Sequence, residues 1–184
     1  MTHAFQNVAD FLISTLFSLY ILAVMLRTLL AMARADFYNP VSQFLVTVTN
    51  PPLRVLRRFI PPMGRIDTAA FVLVLLLKML EIWLIAMLHG VGVPIFTLFV
   101  VSVLALVRLV IWIYIISIII QAVMSWFQAG GAMGRNPVAD LVFSLNHPIL
   151  APIRRIMPQT GMVDLSPLVA IIGLNVLLIF VSSI

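Results

Sequence analysis

The residues of this chain whose types could do chemistry fall into two sets. One is Lys78, Glu81 and Arg108, charged side chains set within apolar runs. Lys78 and Glu81 are three positions apart, which puts them on one face of a helix. Each would cost about 2.5–3.5 kcal/mol if it met lipid at mid-depth. Such groups can line an ion or proton path, or can neutralise each other and fix packing. A pump usually needs a longer chain of carboxylates than Glu81 alone, so packing is the simpler expectation. The other set is arginine. RRFIPPMGRID runs from Arg57 to Asp67 and RRIMPQTGMVD from Arg154 to Asp164, with two Arg, a Pro, a Gly and an Asp at identical spacing. With Arg54, the arginines 57, 58, 154 and 155 are candidates to contact anionic lipid or an acidic partner. The alternatives are plain topology signals, or internal ion pairs to Asp67 and Asp164.

Other chemistry has little footing. There is no cysteine, which excludes disulfides and thiolate sites. His3, His89 and His147 have no ligand-like spacing to one another or to carboxylates. No Walker loop, dinucleotide glycines, nucleophile elbow or zincin motif occurs. The expectation is a protein that is not an enzyme and carries no cofactor or metal.

The elements that must position these residues are membrane helices. Hydrophobic residues make up 63% of the 184 and charged residues 9%, with a mean hydropathy of +1.19. Soluble domains have nearer half apolar and about a quarter charged residues. A span needs about 20 apolar residues. Four runs qualify: about 11–33, 68–88, 105–127 within a longer stretch from Pro94, and 167–184 behind a Ser166-Pro167 start. Residues 94–104 suit either an interfacial segment or one long tilted span. The first run, with no cleavage-site pattern after it, reads as a retained anchor.

Arg34, Arg54, Arg57, Arg58 and Arg65 lie between spans one and two, and Arg135, Arg154 and Arg155 between spans three and four; the HGVGVP link and both termini have none. The positive-inside rule then predicts both long connections in the cytoplasm and both termini outside. The net charge of +5 belongs to this pattern, and no nucleic-acid partner is expected.

Shifting the chain by 97 (136 − 39) superimposes the connections without a gap. Asn39, Pro40 and Val41 fall on Asn136, Pro137 and Val138, and Pro51 on Pro148. Arg57, Arg58, Pro61, Gly64 and Asp67 fall on Arg154, Arg155, Pro158, Gly161 and Asp164. This predicts two tandem units, 1–92 and 93–184, forming one membrane domain. Each holds two spans, so the units share an orientation, unlike an inverted-repeat transporter.

Within a unit, Asn39-Pro40 and Asn136-Pro137 are helix starts, cap then first turn. Val41, Phe44, Leu45 and Val48 form an apolar stripe. Pro51-Pro52 is expected to break this helix, a second short one following with Leu53, Leu56 and Ile60 opposite Arg54, Arg57 and Arg58. Copy two repeats the layout, with Pro152 inside its second piece. The expected products are short amphipathic helices in interfacial segments 39–66 and 136–163. Gly64 and Gly161 suit turns of positive φ, and Asp67 and Asp164 suit caps of the following spans.

The double Asn-Pro … Pro … Arg-Arg … Pro-x-x-Gly-x-x-Asp unit, in DFYNPVSQF, PLRVLRRFIPPMGRID, NPVADLV and HPILAPIRRIMPQTGMVDLSP, resembles the YggT family over essentially the whole chain. The resemblance implies a small multi-pass protein of the bacterial inner membrane with plastid relatives. It implies links to osmotic stress, potassium uptake or cell division, and to cytochrome assembly in plastids, with no catalytic residues to carry over. The expectation is an all-α scaffold or assembly factor contacting anionic headgroups, a membrane protein partner or a second copy. The competing expectation is an ion-transport protein or accessory in osmotic adaptation.

Overall fold

A computed structural model describes residues 2–61, 67–129, 136–156 and 164–183. The expectations placed on Gly64 and Gly161 lie outside the described residues. Those described form six helices and no strand: α1 (Thr2–Met32), α2 (Pro40–Leu56), α3 (Thr68–Leu88), α4 (Ile95–Ala129), α5 (Pro137–Ile156) and α6 (Ser166–Ser182). Three of them, α1, α3 and α4, are long and apolar enough to cross a membrane. The 17-residue α6 is as apolar but shorter, about 25 Å at 1.5 Å per residue.

Helix α3 covers the expected 68–88. Helix α1 starts well before Phe11. Helix α4 runs unbroken for 35 residues, so residues 95–104 belong to the same helix as the span. At about 52 Å it exceeds a hydrocarbon core of about 30 Å.

The prolines do not divide the connections as expected. Helix α2 passes through Pro51 and Pro52, and α5 through Pro148 and Pro152. Each connection therefore contains one helix rather than two short ones. An interior proline costs about 3 kcal/mol, chiefly through a lost amide and a crowded carbonyl. Two features offset it. The Val48 carbonyl, which Pro52 cannot serve, accepts the Tyr20 hydroxyl at a long 3.4 Å. Leu53 and Leu150, one turn beyond the breaks, are 0% exposed; full burial of a leucine contributes about 1.5–3 kcal/mol, and continuing the helix is what buries them.

The buried face of α2 is also not the apolar stripe read from the sequence. Ser42, Leu45, Thr49 and Leu53 are buried, while Phe44, Val48 and Val55 are exposed. At 100° per residue those three form a second stripe, leaving a polar one of Thr47, Asn50, Arg54 and Arg58 on the remaining side.

Contacts group the chain into two compact units. One contains 1–28 and 45–107, the other 29–44 and 108–184. In the first, the buried residues include Ile21, Val24 and Met25 of α1, Leu53 of α2, and Ala69, Ala70, Leu73 and Val74 of α3. In the second, Ile118 of α4, Leu150 of α5 and Ala170 of α6 form a core against which Ile149, Ile153, Ile171 and Leu174 pack.

Two helices end in the same left-handed device. Gly90 (φ 68°) follows α3, with Gly90 N bonded to Met87 O and Val91 N to Ala86 O. Arg34 (φ 55°) follows α1, with Arg34 N bonded to Ala31 O and Ala35 N to Leu30 O. This is the Schellman pairing, and at Arg34 a side chain occupies a conformation that glycine adopts without cost.

Candidate functional site

Asn39 and Asn136 start α2 and α5 in the same way. The Asn39 Oδ1 accepts the Val41 amide at 3.0 Å and the Asn136 Oδ1 accepts the Val138 amide at 3.0 Å, with Pro40 and Pro137 as the first helical residues. Asn39 also donates through Nδ2 to the Pro137 carbonyl at 2.7 Å.

At the far ends of α2 and α5 the arginine pairs divide. Arg57 donates through Nη2 to Asp67 Oδ2. Asp67 keeps its other oxygen for the Ala70 amide at 3.3 Å, capping α3. Arg154 reaches Asp164 Oδ2 through Nε and Nη2, each at 2.8 Å. Asp164 Oδ1 accepts the Ser166 amide at 2.9 Å, at the start of α6. In both places one carboxylate oxygen holds the first arginine and the other serves the next helix. At Asp164, partial burial alone would raise the carboxyl pKa. The hydrogen bonds from the Ser166 side chain and backbone, and the bond and charge of Arg154, outweigh it and hold the group below its ordinary value. The remaining arginines, Arg54, Arg58 and Arg155, make no hydrogen bond or ion pair with the described residues.

Exposed apolar side chains occur in the same two connections. Tyr38 and Phe59 are 82% and 80% exposed, and Phe37, Phe44, Val55 and Ile156 are exposed as well. Arg54, Arg58 and Arg155, without a partner among the described residues, are followed in the chain by the exposed Val55, Phe59 and Ile156.

The intramembrane set behaves differently. Lys78 Nζ donates to both oxygens of Glu81 at 2.9 Å, and Glu81 is 4% exposed. Arg108, in the other unit, donates through Nη2 to the Val181 carbonyl at 2.9 Å, satisfying one of the open carbonyls at the end of α6. Its buried Nε has no partner among the described residues. Among the described residues no group of three metal-ligating side chains forms.

Several polar contacts escape sequence reasoning. Ser117 Oγ donates to Asn146 Oδ1 at 2.6 Å, and Asn146 Nδ2 to Gln121 Oε1 at 2.8 Å, tying α4 to α5 in a buried cluster. In the other unit Arg27 Nη1 donates to Thr49 Oγ1 at 2.8 Å, tying α1 to α2. Thr49 and Asn146, both 0% exposed, are themselves 97 positions apart. That offset was the available signal, masked because the two residue types differ. Near the start of α1, Gln6 Nε2 donates to the Leu88 carbonyl at 3.0 Å and Asp10 Oδ2 lies 2.7 Å from His89 Nε2. No spacing rule connects residues 82 and 79 positions apart.

Comparison with known proteins gives the following. The family model described as CCB3/YggT matches residues 6–88 and 100–184. The chain is 44% identical to an uncharacterized protein encoded in the proC 3′ region of Vibrio alginolyticus, over 92% of this chain and 91% of that one. It is 41% identical to an uncharacterized protein of Pseudomonas aeruginosa, over 94% and 87%. It is 34% identical to the uncharacterized protein YggT of Escherichia coli K12, over 94% and 88%. No solved structure matches it.

Proposed function

The chain belongs to the CCB3/YggT family, and on that premise we propose that it is a non-enzymatic scaffold or assembly factor of the bacterial inner membrane. Four spans, α1, α3, α4 and α6, come from two tandem two-span units. Three observations support the tandem reading: the family model matches two stretches of nearly equal length, the Arg–Asp–cap arrangement recurs at an offset of 97, and so does the buried polar contact at Thr49 and Asn146. Both termini face the periplasm, and α2 and α5 lie along the cytoplasmic surface.

The observation that carries the functional reading is the division of the arginines. Arg57 and Arg154 are neutralised within the fold, while Arg54, Arg58 and Arg155 have no partner among the described residues and adjoin exposed apolar side chains. Each free arginine near an anionic leaflet contributes about 1 kcal/mol. Each connection holds anionic headgroups through its own arginines and positions a membrane partner. The closed Lys78–Glu81 pair supports a packing role for those residues over an ion path.

The test compares two sets of substitutions in the full chain. Arg54→Gln, Arg58→Gln and Arg155→Gln together should reduce retained anionic lipid and the yield of crosslinked partners in cells. Arg57→Gln with Arg154→Gln should leave both readouts near wild type in the protein that remains folded. Equal losses from the two sets would refute the division. Because the chain has no cysteine, Arg58→Cys provides a single labelling site. Its labelling from the periplasmic side would overturn the orientation.

A further inference from the structure

The polar stripe of α2 contains a recess of about 310 Å³ lined by Thr47, Asn50, Pro51 and Arg54. These positions are i, i+3, i+4 and i+7, one strip of helix surface. The volume is at the small end of ligand sites, about ten times the share of one liquid water. Arg54 is exposed and Asn50 half-buried, and neither has a polar partner among the described residues. The Asn50 amide is not among the buried unpartnered atoms, so it stays open to water or to a ligand oxygen. Helix α2 holds no Asp or Glu, so the recess carries net positive charge, with a guanidinium and an amide as its donors. That donor set suits phosphate oxygens.

The setting selects the source of the phosphate. Phe44, Val48 and Val55 form an exposed apolar stripe beside the recess on the same helix, and Phe59 lies just past its end. When such a stripe enters the boundary between headgroups and acyl chains, the polar stripe beside it sits at headgroup depth. A choline-type headgroup would bring a second cation to a recess with no carboxylate to receive it. The residues 97 positions on are Ser144, His147, Pro148 and Ala151, with no arginine among them, so α5 lacks the same donor set.

We propose that this recess seats the phosphodiester of one anionic phospholipid, Arg54 gripping the phosphate oxygens and Asn50 bonding the phosphate or a headgroup hydroxyl. This rests on the reading that α2 lies against an anionic leaflet, and it adds a defined site to a general attraction.

The experiment is native mass spectrometry of the full-length protein in detergent micelles, titrated with phosphatidylglycerol, with phosphatidylcholine, and separately with inorganic phosphate. Wild type should retain one phosphatidylglycerol in preference to phosphatidylcholine, and millimolar inorganic phosphate should not displace it. Arg54→Gln should weaken retention about tenfold, the effect of losing charged hydrogen bonds. Asn50→Asp, which puts a carboxylate into the recess, should weaken it at least as much. Arg57→Gln should leave it unchanged. Wild-type retention by Arg54→Gln and Asn50→Asp overturns the site, and displacement by inorganic phosphate overturns the lipid as its source. If Arg58→Gln and Arg155→Gln reduce retention while Arg54→Gln does not, the recess fails and the broader reading stands. If none of the three arginine changes matters, both fail.

Discussion

Replacing one member of the Lys78–Glu81 pair should be far more damaging than replacing both. Lys78→Met leaves a carboxylate that is 4% exposed with no counter-ion. Glu81→Leu leaves an ammonium whose side chain is 20% exposed and can reach toward water along its stem. An uncompensated charge at mid-span costs about 2.5–3.5 kcal/mol on insertion scales, and breaking a buried pair about 3–5 kcal/mol. Lys78→Met should therefore lose about 3–4 kcal/mol, and Glu81→Leu less, about 2–3 kcal/mol. The double variant replaces the pair by apolar groups of similar volume and should come within about 1 kcal/mol of wild type. The coupling is then about 4 kcal/mol or more, well above what independent sites give. Equilibrium unfolding in mixed micelles measures it, and potassium or proton flux into proteoliposomes is the second readout. Additive losses in the double variant would refute the neutralised-pair argument. A wild-type flux abolished by Glu81→Leu would refute the packing role and favour ion transport.

Three further outcomes follow from single contacts. Arg34→Gly should raise stability by about 1 kcal/mol, because the left-handed conformation that costs a side chain about 1–2 kcal/mol costs glycine nothing; Gly90→Ala should lose a similar amount, although its added Cβ would meet nothing within 4 Å, and thermal melting of both checks the pair. Asn146→Leu should cost about 2–4 kcal/mol by orphaning Gln121 and leaving Ser117 only its bond to the Tyr114 carbonyl, and adding Ser117→Ala and Gln121→Leu should recover most of it in the same unfolding assay. At Asp164 the folded pKa lies below the ordinary value of 3.8, so its contribution is present above that value and is lost as pH falls through the depressed folded one. The melting temperatures of wild type and Asp164→Asn should therefore differ slightly at pH 7, since an exposed ion pair is worth only about 0–1 kcal/mol, and should converge only as the pH falls past 3.8 and through the lower folded value.

The features legible in the sequence were those encoded locally. Asn39-Pro40 and Asn136-Pro137 start helices because cap and first turn are adjacent residues, and α3 is the apolar run it looked like. The proline breaks misled because burial of Leu53 and Leu150 outweighs a local preference that a propensity rule reads in isolation. Those two leucines are also identical at the offset of 97, but a leucine match in a greasy chain carries little information. The apolar stripe of α2 misled for a related reason. Periodicity finds a face without saying what covers it, and here the stripe with Phe44 and Val48 is uncovered while Ser42 and Thr49 turn inward. The clusters around Asn146 and His89 join helices whose residues no short-range pattern links.

The division within each Arg-Arg pair was beyond any pattern, because adjacent residues of identical type carry identical signals. Geometry separates them. Neighbouring side chains on a helical turn diverge by about 100°, so a chain that turns one arginine toward the aspartate ten positions on turns the next away from it. The ion pairs that result are too exposed to contribute more than about 1 kcal/mol each, so stability is a weak reason for them. Orientation is a stronger one. Each aspartate holds an arginine with one oxygen and starts the following helix with the other, and this couples the direction of the arginine pair to the point where the chain re-enters its next apolar helix. The first arginine is thereby neutralised and fixed. The second has no partner among the described residues and adjoins exposed apolar groups, two conditions that the anionic membrane surface we propose would satisfy together.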